Sequence, residues 1–123
     1  MCIFCELKSQ KSQHIFENDY VFAVFDNYPV TKGHALIIPK RHFETIFMAN
    51  NNELIAIGEA LKTLKIELDR QYQPDGYNVG INNGIDAGQS IMHMHVHLIP
   101  RYRGDSPHPR GGVRGIIPGK QEY

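Results

Sequence analysis

The sequence predicts an α+β fold in which an antiparallel sheet of about five strands carries one long helix on a face. Two patterns lead to this prediction. Short apolar runs bounded by turn residues recur along most of the chain, which is typical of strands. Between them, residues 51–72 repeat apolar side chains every three or four positions, which is typical of an amphipathic helix. Strands, then a helix, then strands favour a helix packed on one side of an antiparallel sheet.

Five apolar runs are candidate strands. The first two are separated by Glu17-Asn18-Asp19, a turn sequence that predicts a β-hairpin. The third follows Gly33 and is stopped by Pro39, because proline cannot donate a hydrogen bond to a neighbouring strand. The predicted strands therefore lie at 15–16, 20–25, 34–39, 77–82 and 89–99.

The predicted helix begins after Asn50, which forms a capping-box pattern with Glu53, and it ends before Pro74 and Gly76. Its apolar stripe is expected to face the core and consists of Leu54, Ile57, Leu61, Leu64, Leu68 and Tyr72. Its outward face is expected to be solvated and includes Glu53, Glu59, Lys62, Glu67 and Arg70.

Three histidines alternate with apolar residues near the end of the chain, at His93, His95 and His97. Successive side chains of a strand point to opposite faces, so the three imidazoles would share one face while Met94 and Val96 point into the core. A single histidine is more often a satisfied, partly buried side chain. A row of three groups that titrate near neutral pH indicates metal binding, phosphate chemistry or both.

Cys2 and Cys5 form a C-x-x-C pair at the N-terminus. Alone, this pair fits a redox centre, half of a zinc site or chance. A redox pair would be expected to follow a strand and begin a helix, and nothing precedes this one. A zinc site would need two further ligands from elsewhere in the chain.

The bulk properties predict one domain of 123 residues with a formal net charge of zero. No whole-molecule field attracts nucleic acid or a membrane, and no apolar run approaches the ~20 residues that span a bilayer. We therefore expect a cytoplasmic protein with reduced cysteines and with neither nucleic acid nor membrane as a partner. The predicted division is a domain at 1–103 and a Pro/Gly-rich, locally basic tail of the same domain at 104–123.

Gly88-Gln89-Ser90, followed by the three alternating histidines, resembles the signature of the histidine triad (HIT) family of nucleotide hydrolases and transferases. Other landmarks stand in the order of that family. They are the C-x-x-C pair, an aspartate after the second strand, Gly33-His34 before Leu36-Ile37-Ile38-Pro39, and Asn82. The resemblance runs from Cys2 to about Tyr102 and implies a HIT-like fold.

The resemblance implies a hydrolase that acts at the α-phosphate of nucleoside phosphoramidates or dinucleoside polyphosphates and releases a nucleoside monophosphate. His95 matches the nucleophile that forms a covalent nucleotidyl-histidine intermediate. His97, Ser90 and Asn82 match residues that hydrogen-bond the phosphate or leaving-group oxygens. The third histidine argues against the transferase branch, whose pattern resembles His-x-His-x-Gln.

The resemblance also implies binding residues for a purine nucleotide. Asp26 matches the residue that accepts hydrogen bonds from the ribose hydroxyls, and the alternative is a capped turn before Pro29. Gln89, Phe4 and Asn27 are further substrate-binding candidates. Turn capping is an equally good interpretation of Gln89, and core packing is the simpler interpretation of Phe4.

In family members that keep the C-x-x-C pair, the resemblance implies a structural zinc site, here formed by Cys2, Cys5, His42 and His93. His34 would then support the site, near His95. The resemblance further implies a homodimer. Two alternatives stay open: a zinc-stapled module that binds or senses nucleotides without turnover, and a redox or zinc-finger protein based on the C-x-x-C pair.

Overall fold

An antiparallel five-stranded sheet forms the framework of the computed structural model, which describes residues 2–123. The strands are β1 (Phe16–Glu17), β2 (Val21–Phe25), β3 (Ala35–Pro39), β4 (Gly76–Gly80) and β5 (Val96–Arg101), in the spatial order β1-β2-β3-β5-β4. The α-helices are α1 (Ile3–Leu7) and α2 (Asn51–Tyr72). Single 3₁₀ turns occupy Lys11–Gln13, Ile46–Met48, Ile85–Ala87 and Gly112–Ile116. The predicted fold class is confirmed.

Helix α2 has the predicted bounds because both of its ends carry specific signals. At its start, the Asn50 side chain accepts a hydrogen bond from the Glu53 amide, and the Glu53 carboxylate accepts one from the Asn50 amide. At its end, Gln73 adopts a left-handed conformation with φ of 51° just before Pro74. Neither α2 nor any other helix in residues 2–123 combines the length and apolar character needed to cross a bilayer.

Two predictions about the faces of α2 are wrong. Glu53 is only 2% exposed, since its carboxylate serves the cap and also accepts two hydrogen bonds from the Arg41 guanidinium, at 2.7 and 3.1 Å. Leu54 is 42% exposed. The buried side of the helix is centred on Ala56 and Ala60 instead, because small side chains let the helix approach the sheet closely. The buried residues of α2 are Glu53, Ala56, Ile57, Ala60, Leu64 and Leu68.

The last strand is shorter than predicted. It begins at Val96 rather than at Gln89, and its pairing with β3 starts at the Ile37–Val96 pair. Just beyond this pair β3 ends at Pro39, which has no N–H, and the Pro39 carbonyl accepts a hydrogen bond from the His93 ring instead. His93 and His95 therefore lie in the segment before the strand, in which His93 is part of a bend. Strand β4 is also shorter, ending at Gly80 rather than at residue 82.

The alternation of side chains nevertheless holds through residues 93–98. Met94, Val96 and Leu98 belong to the core between the sheet and α2. On the opposite face, α1 inserts Phe4 into a second apolar cluster with Phe22, Val24, Leu36 and Ile38. The histidines lie on this α1 side of the sheet. The fold thus leaves one face for the main core and the other for a site.

Candidate functional site

Four side chains of the types that can bind a metal meet where α1 lies beside the segment that precedes β5: Cys2, Cys5, His42 and His93. Their ligand atoms all lie within 4.8 Å of one another. The Nδ1 atom of His93 is 3.3 Å from Cys2 Sγ, 3.6 Å from Cys5 Sγ and 3.0 Å from His42 Nδ1. The edges of a tetrahedral Cys2His2 zinc site are about 3.3–3.8 Å, so the set is close to that size.

Local hydrogen bonds orient two of these four side chains. Cys2 is the N-cap of α1, and its sulfur accepts a hydrogen bond from the Cys5 amide at 3.4 Å. The Nε2 atom of His93 donates to the Pro39 carbonyl at 2.8 Å. Because a carbonyl only accepts, the proton must reside on Nε2, and Nδ1 presents a lone pair to the other three ligands. The donor set therefore fits a closed, four-coordinate metal.

His95 is held in one orientation on the α1 side of the sheet. Its Nδ1 atom donates to the His93 carbonyl at 2.8 Å, so the proton of the neutral ring resides on Nδ1 and the lone pair on Nε2. The Phe4 ring contacts it edge-on at 5.0 Å between centroids. The residue is 8% exposed and therefore buried. A nucleophilic nitrogen is thus fixed in position.

His97 is fixed by a chain of hydrogen bonds that starts at the turn after β2. The Val30 amide donates to His34 Nδ1 at 3.1 Å, so His34 carries its proton on Nε2, which lies 3.0 Å from His97 Nδ1. His97 must accept there and therefore carries its own proton on Nε2. Burial lowers the pKa of both rings, so both are neutral at pH 7. His34 thus supports His97, whose ring centroid lies 5.1 Å from that of His95.

Asp26 approaches the same chain of histidines. Its Oδ2 atom is 3.5 Å from His34 Nε2, while Oδ1 accepts a hydrogen bond from the Tyr28 amide at 2.9 Å. The turn-capping interpretation is therefore correct for one oxygen, and the other faces the histidines. Asn27, next to it, is exposed. Phe4 is both a core residue at 3% exposure and a neighbour of His95.

The loop that follows β4 carries three of the predicted residues. Gln89 holds this loop in place through four hydrogen bonds. Its side-chain oxygen accepts from the Gly84 amide, and its side-chain nitrogen donates to the carbonyls of Glu44 and Ile91. Its backbone N–H donates to the Gly84 carbonyl. Its backbone amide is therefore already occupied, and turn capping is its observed role. Gly88, with φ of 95°, packs beside the half-buried Asn82 side chain, and Ser90 is exposed.

Sequence reasoning gave His34 a supporting role and Gln89 a possible turn-capping role, but it did not identify the residues that these two side chains contact. For His34, one signal existed. It lies two residues before Leu36, which pairs with His97 across β3 and β5, so His34 and His97 lie on the same face of the sheet. The partners of Gln89, by contrast, come from positions up to 45 residues away in the chain, and no local pattern indicates them.

Comparison with known proteins agrees with this geometry. The HIT domain family matches residues 8–104. A crystal structure of a HIT family protein from Bacillus anthracis superposes with a TM-score of 0.78 at 36% identity, covering 85% of this chain and 75% of that one.

Two further similarities bear on chemistry. A Zn-bound histidine triad protein from Mycobacterium smegmatis superposes with a TM-score of 0.77 at 29% identity, covering 85% of this chain and 78% of that one. A relative from Arabidopsis thaliana named adenylylsulfatase HINT3 is 32% identical over 106 residues, which are 85% of this chain and 54% of that protein. With the family match spanning most of the described residues, the chain belongs to the HIT (histidine triad) domain family.

Proposed function

We propose that this protein is a nucleotide hydrolase that cleaves at the α-phosphate through a covalent nucleotidyl-histidine intermediate. The observation that carries the proposal is the hydrogen bond from His95 Nδ1 to the His93 carbonyl, which directs the lone pair of Nε2 away from the backbone. An imidazole nitrogen with a fixed lone pair is an effective nucleophile at neutral pH. Substrates are nucleoside phosphoramidates or dinucleoside polyphosphates.

In the first step, His95 Nε2 forms a bond to the α-phosphorus while the bond from phosphorus to the leaving nitrogen or oxygen breaks. The leaving group takes the electron pair of that bond, and an amine also takes one proton from solvent, which the water that attacks in the second step releases again. In the second step, water attacks phosphorus, the phosphorus–nitrogen bond to His95 breaks, and a nucleoside monophosphate is released. Catalysis of this kind depends mainly on positioning and on charge stabilisation.

The other residues have supporting roles in this proposal. The Nε2 proton of His97 is available for the phosphate or the leaving atom, because His34 occupies its Nδ1. Ser90 and Asn82 donate hydrogen bonds to phosphate or leaving-group oxygens, each worth ~3 kcal/mol where such donors have been removed in other enzymes. Asp26 receives the ribose hydroxyls, and Phe4 and Asn27 border the purine base. Gln89 contributes by holding the loop that carries Asn82 and Ser90.

We also propose that Cys2, Cys5, His42 and His93 hold a structural zinc ion. The distances between their ligand atoms and the proton on His93 Nε2 support this assignment. His42 Nδ1 lies 3.0 Å from His93 Nδ1, and both nitrogens can turn a lone pair toward a cation when His42 carries its proton on Nε2. Zinc, when bound, ties α1 to the segment that carries His95 and so fixes the carbonyl that orients the nucleophile.

A homodimer is the proposed assembly. Exposed apolar side chains on α2 and on the edge strand β4 support it, including Ile55 at 60% and Val79 at 47% exposure. Light scattering of the purified chain during size exclusion tests it, and a mass of about 14 kDa instead of twice that value would contradict it.

The test of the catalytic proposal is a pair of measurements on wild type and His95→Ala. Wild type is expected to release nucleoside monophosphate from an adenosine phosphoramidate or a diadenosine polyphosphate. His95→Ala is expected to lose at least about a thousandfold in turnover, as nucleophile removal does elsewhere, while still binding adenosine monophosphate. Full activity in the variant would refute the assignment of the nucleophile. Nucleotide binding without turnover by wild type would support the nucleotide-sensing alternative.

A further inference from the structure

The two histidines of the proposed zinc site differ in what fixes their rings. The Nε2 atom of His93 donates to the Pro39 carbonyl at 2.8 Å, and this bond sets the direction of the ring. Within residues 2–123, the His42 ring makes hydrogen-bond contacts only through Nδ1, with Cys5 Sγ at 3.5 Å and His93 Nδ1 at 3.0 Å. A histidine ligand usually has a partner on its second nitrogen. The direction of the exposed His42 side chain therefore depends on the chain to either side of it.

The residue after His42 connects it to the segment that carries His93. Phe43 is 5% exposed and belongs to the core between the sheet and α2. Its carbonyl accepts a hydrogen bond from the amide of Met94 at 2.8 Å. Because Met94 directly follows His93, this bond sets the spacing between the two histidines. Their rings meet edge-on, with centroids 4.8 Å apart.

The residue before His42 is anchored to the beginning of α2. The Arg41 guanidinium donates to both carboxylate oxygens of Glu53, at 2.7 and 3.1 Å, and to the Met48 carbonyl at 3.1 Å. It also lies 4.5 Å from the centre of the Phe43 ring. A planar guanidinium held by two oxygens of one carboxylate has a defined orientation. Arg41 thus fixes the chain that leads into His42.

Glu53 is a rigid anchor for Arg41. It is 2% exposed, and its own amide and carboxylate take part in the capping box with Asn50. The hydrogen bonds from Arg41 lower the pKa of the Glu53 carboxyl more than burial raises it, so the carboxylate is charged at neutral pH. The capping box itself needs only Asn50 and Glu53. What Arg41 adds is a connection from the start of α2 to His42.

We propose that Arg41 is a positioning residue for the zinc site: by tying the chain before His42 to the start of α2, it holds the His42 imidazole where it completes the set of four ligands. This inference rests on the proposed zinc site. Because coupling between two parts of a protein is reciprocal, zinc binding stabilises the first turn of α2 in return.

The test measures the zinc Kd of the purified protein by competition with a chromophoric chelator. Arg41→Met keeps a side chain of similar stem length without the guanidinium, and it should weaken zinc binding about tenfold, as removal of supporting partners of metal ligands does. Arg41→Lys keeps the charge and should recover part of the loss. Arg70→Met removes an exposed arginine that pairs with Glu67 near the other end of α2, and it should leave the Kd unchanged.

A double-mutant cycle separates positioning from a general loss of structure. In a His42→Ala background, Arg41→Met should cause no further loss of zinc affinity, since no imidazole remains to be positioned. An equal tenfold loss in that background would overturn the inference, because Arg41 would then act only through stability. Amide hydrogen exchange gives the reciprocal measurement. Zinc should slow exchange at Glu53 and Leu54, whose amides bond to Asn50, in wild type but not in Arg41→Met.

The outcomes distinguish this inference from the zinc proposal beneath it. A wild-type Kd in a folded Arg41→Met, or exchange at Glu53 and Leu54 that zinc does not change in wild type, would overturn the inference and leave the zinc site in place. If Arg41→Met does not fold, the same comparison with Arg41→Lys decides, and an unchanged Kd would overturn the inference. If wild type binds no zinc, the zinc proposal itself fails, and the role of Arg41 fails with it.

Discussion

The Nε2 atom of His34 lies 3.0 Å from the Nδ1 atom of His97, and this contact joins the turn after β2 to the strand that carries the end of the triad. Both rings are neutral because burial lowers the pKa of each. The amide of Val30 fixes the tautomer of His34, which in turn fixes the tautomer of His97. Backbone geometry therefore determines which ring nitrogen of His97 carries its proton.

The first prediction concerns His34. His34→Ala should lower kcat by up to about a hundredfold, because His97 loses the partner that sets its orientation, while KM changes little. His34→Gln keeps an N–H donor near the position of Nε2 and should recover much of the loss. Steady-state kinetics of both variants on a phosphoramidate measures this. Equal losses in the two variants would show that His34 acts only through packing.

The second prediction concerns the pH dependence of stability. Burial lowers the pKa of His34 below 6.5 in the folded protein, while the unfolded chain titrates near that ordinary value. Above pH 6.5 both states are neutral, so the full stability is present. As the pH falls below 6.5, the unfolded state binds a proton first and the free energy of unfolding decreases until the folded pKa is passed.

Urea unfolding of wild type and His34→Gln at pH 7 and pH 5 separates the contribution of His34 from that of other buried histidines such as His97. The Glu17 carboxylate, held by Lys11 and Lys40, has a pKa of about 2, so its contribution is lost only as the pH falls below its ordinary 4.5. The decrease in unfolding free energy between pH 7 and 5 should be smaller in His34→Gln than in wild type. An unchanged decrease would contradict the role of His34.

The third prediction concerns the buried carboxylate of Glu53. Glu53→Ala removes both the capping box and the partner of Arg41, and should lower the unfolding free energy by about 1–3 kcal/mol. Because Arg41 is about half exposed, its charge stays hydrated and the loss remains in this range. Glu59→Ala, on the exposed side of the same helix, should change stability by less than about 0.5 kcal/mol. Chemical denaturation of both variants measures these unfolding free energies, and equal losses in the two variants would contradict the prediction.

The fourth prediction concerns metal removal. Purified protein should contain about one zinc per chain, and Cys5→Ser should contain much less, as measured by atomic emission. Saturating zinc should stabilise the wild type by about 3 kcal/mol or more relative to the chelated protein, as expected for a ligand at a hundred times its Kd or above. A wild-type protein whose Tm is the same with zinc and with chelator would refute a structural metal.

Much of this protein could be predicted because its local signals agree with its fold. The capping box of Asn50 and Glu53 and the period of residues 51–72 predicted α2 with its correct ends. The alternation of Met94, His95 and Val96 predicted which residues enter the core, even though pairing begins only at Val96. The buried face of α2 was predicted less well. Leu54 and Ala56 both fit an apolar stripe, but Leu54 is exposed and Ala56 is buried.

The sequence by itself determined the five strands, helix α2 and their order, because periodicity, caps and turn chemistry act between residues close together in the chain. Only the tertiary structure decided that His34 supports His97, that Gln89 braces the loop and that the tail walls a cavity beside β4. These relationships join residues far apart in sequence. They depend on the strand order and on which carbonyls remain without a partner, and no single segment of the chain encodes either.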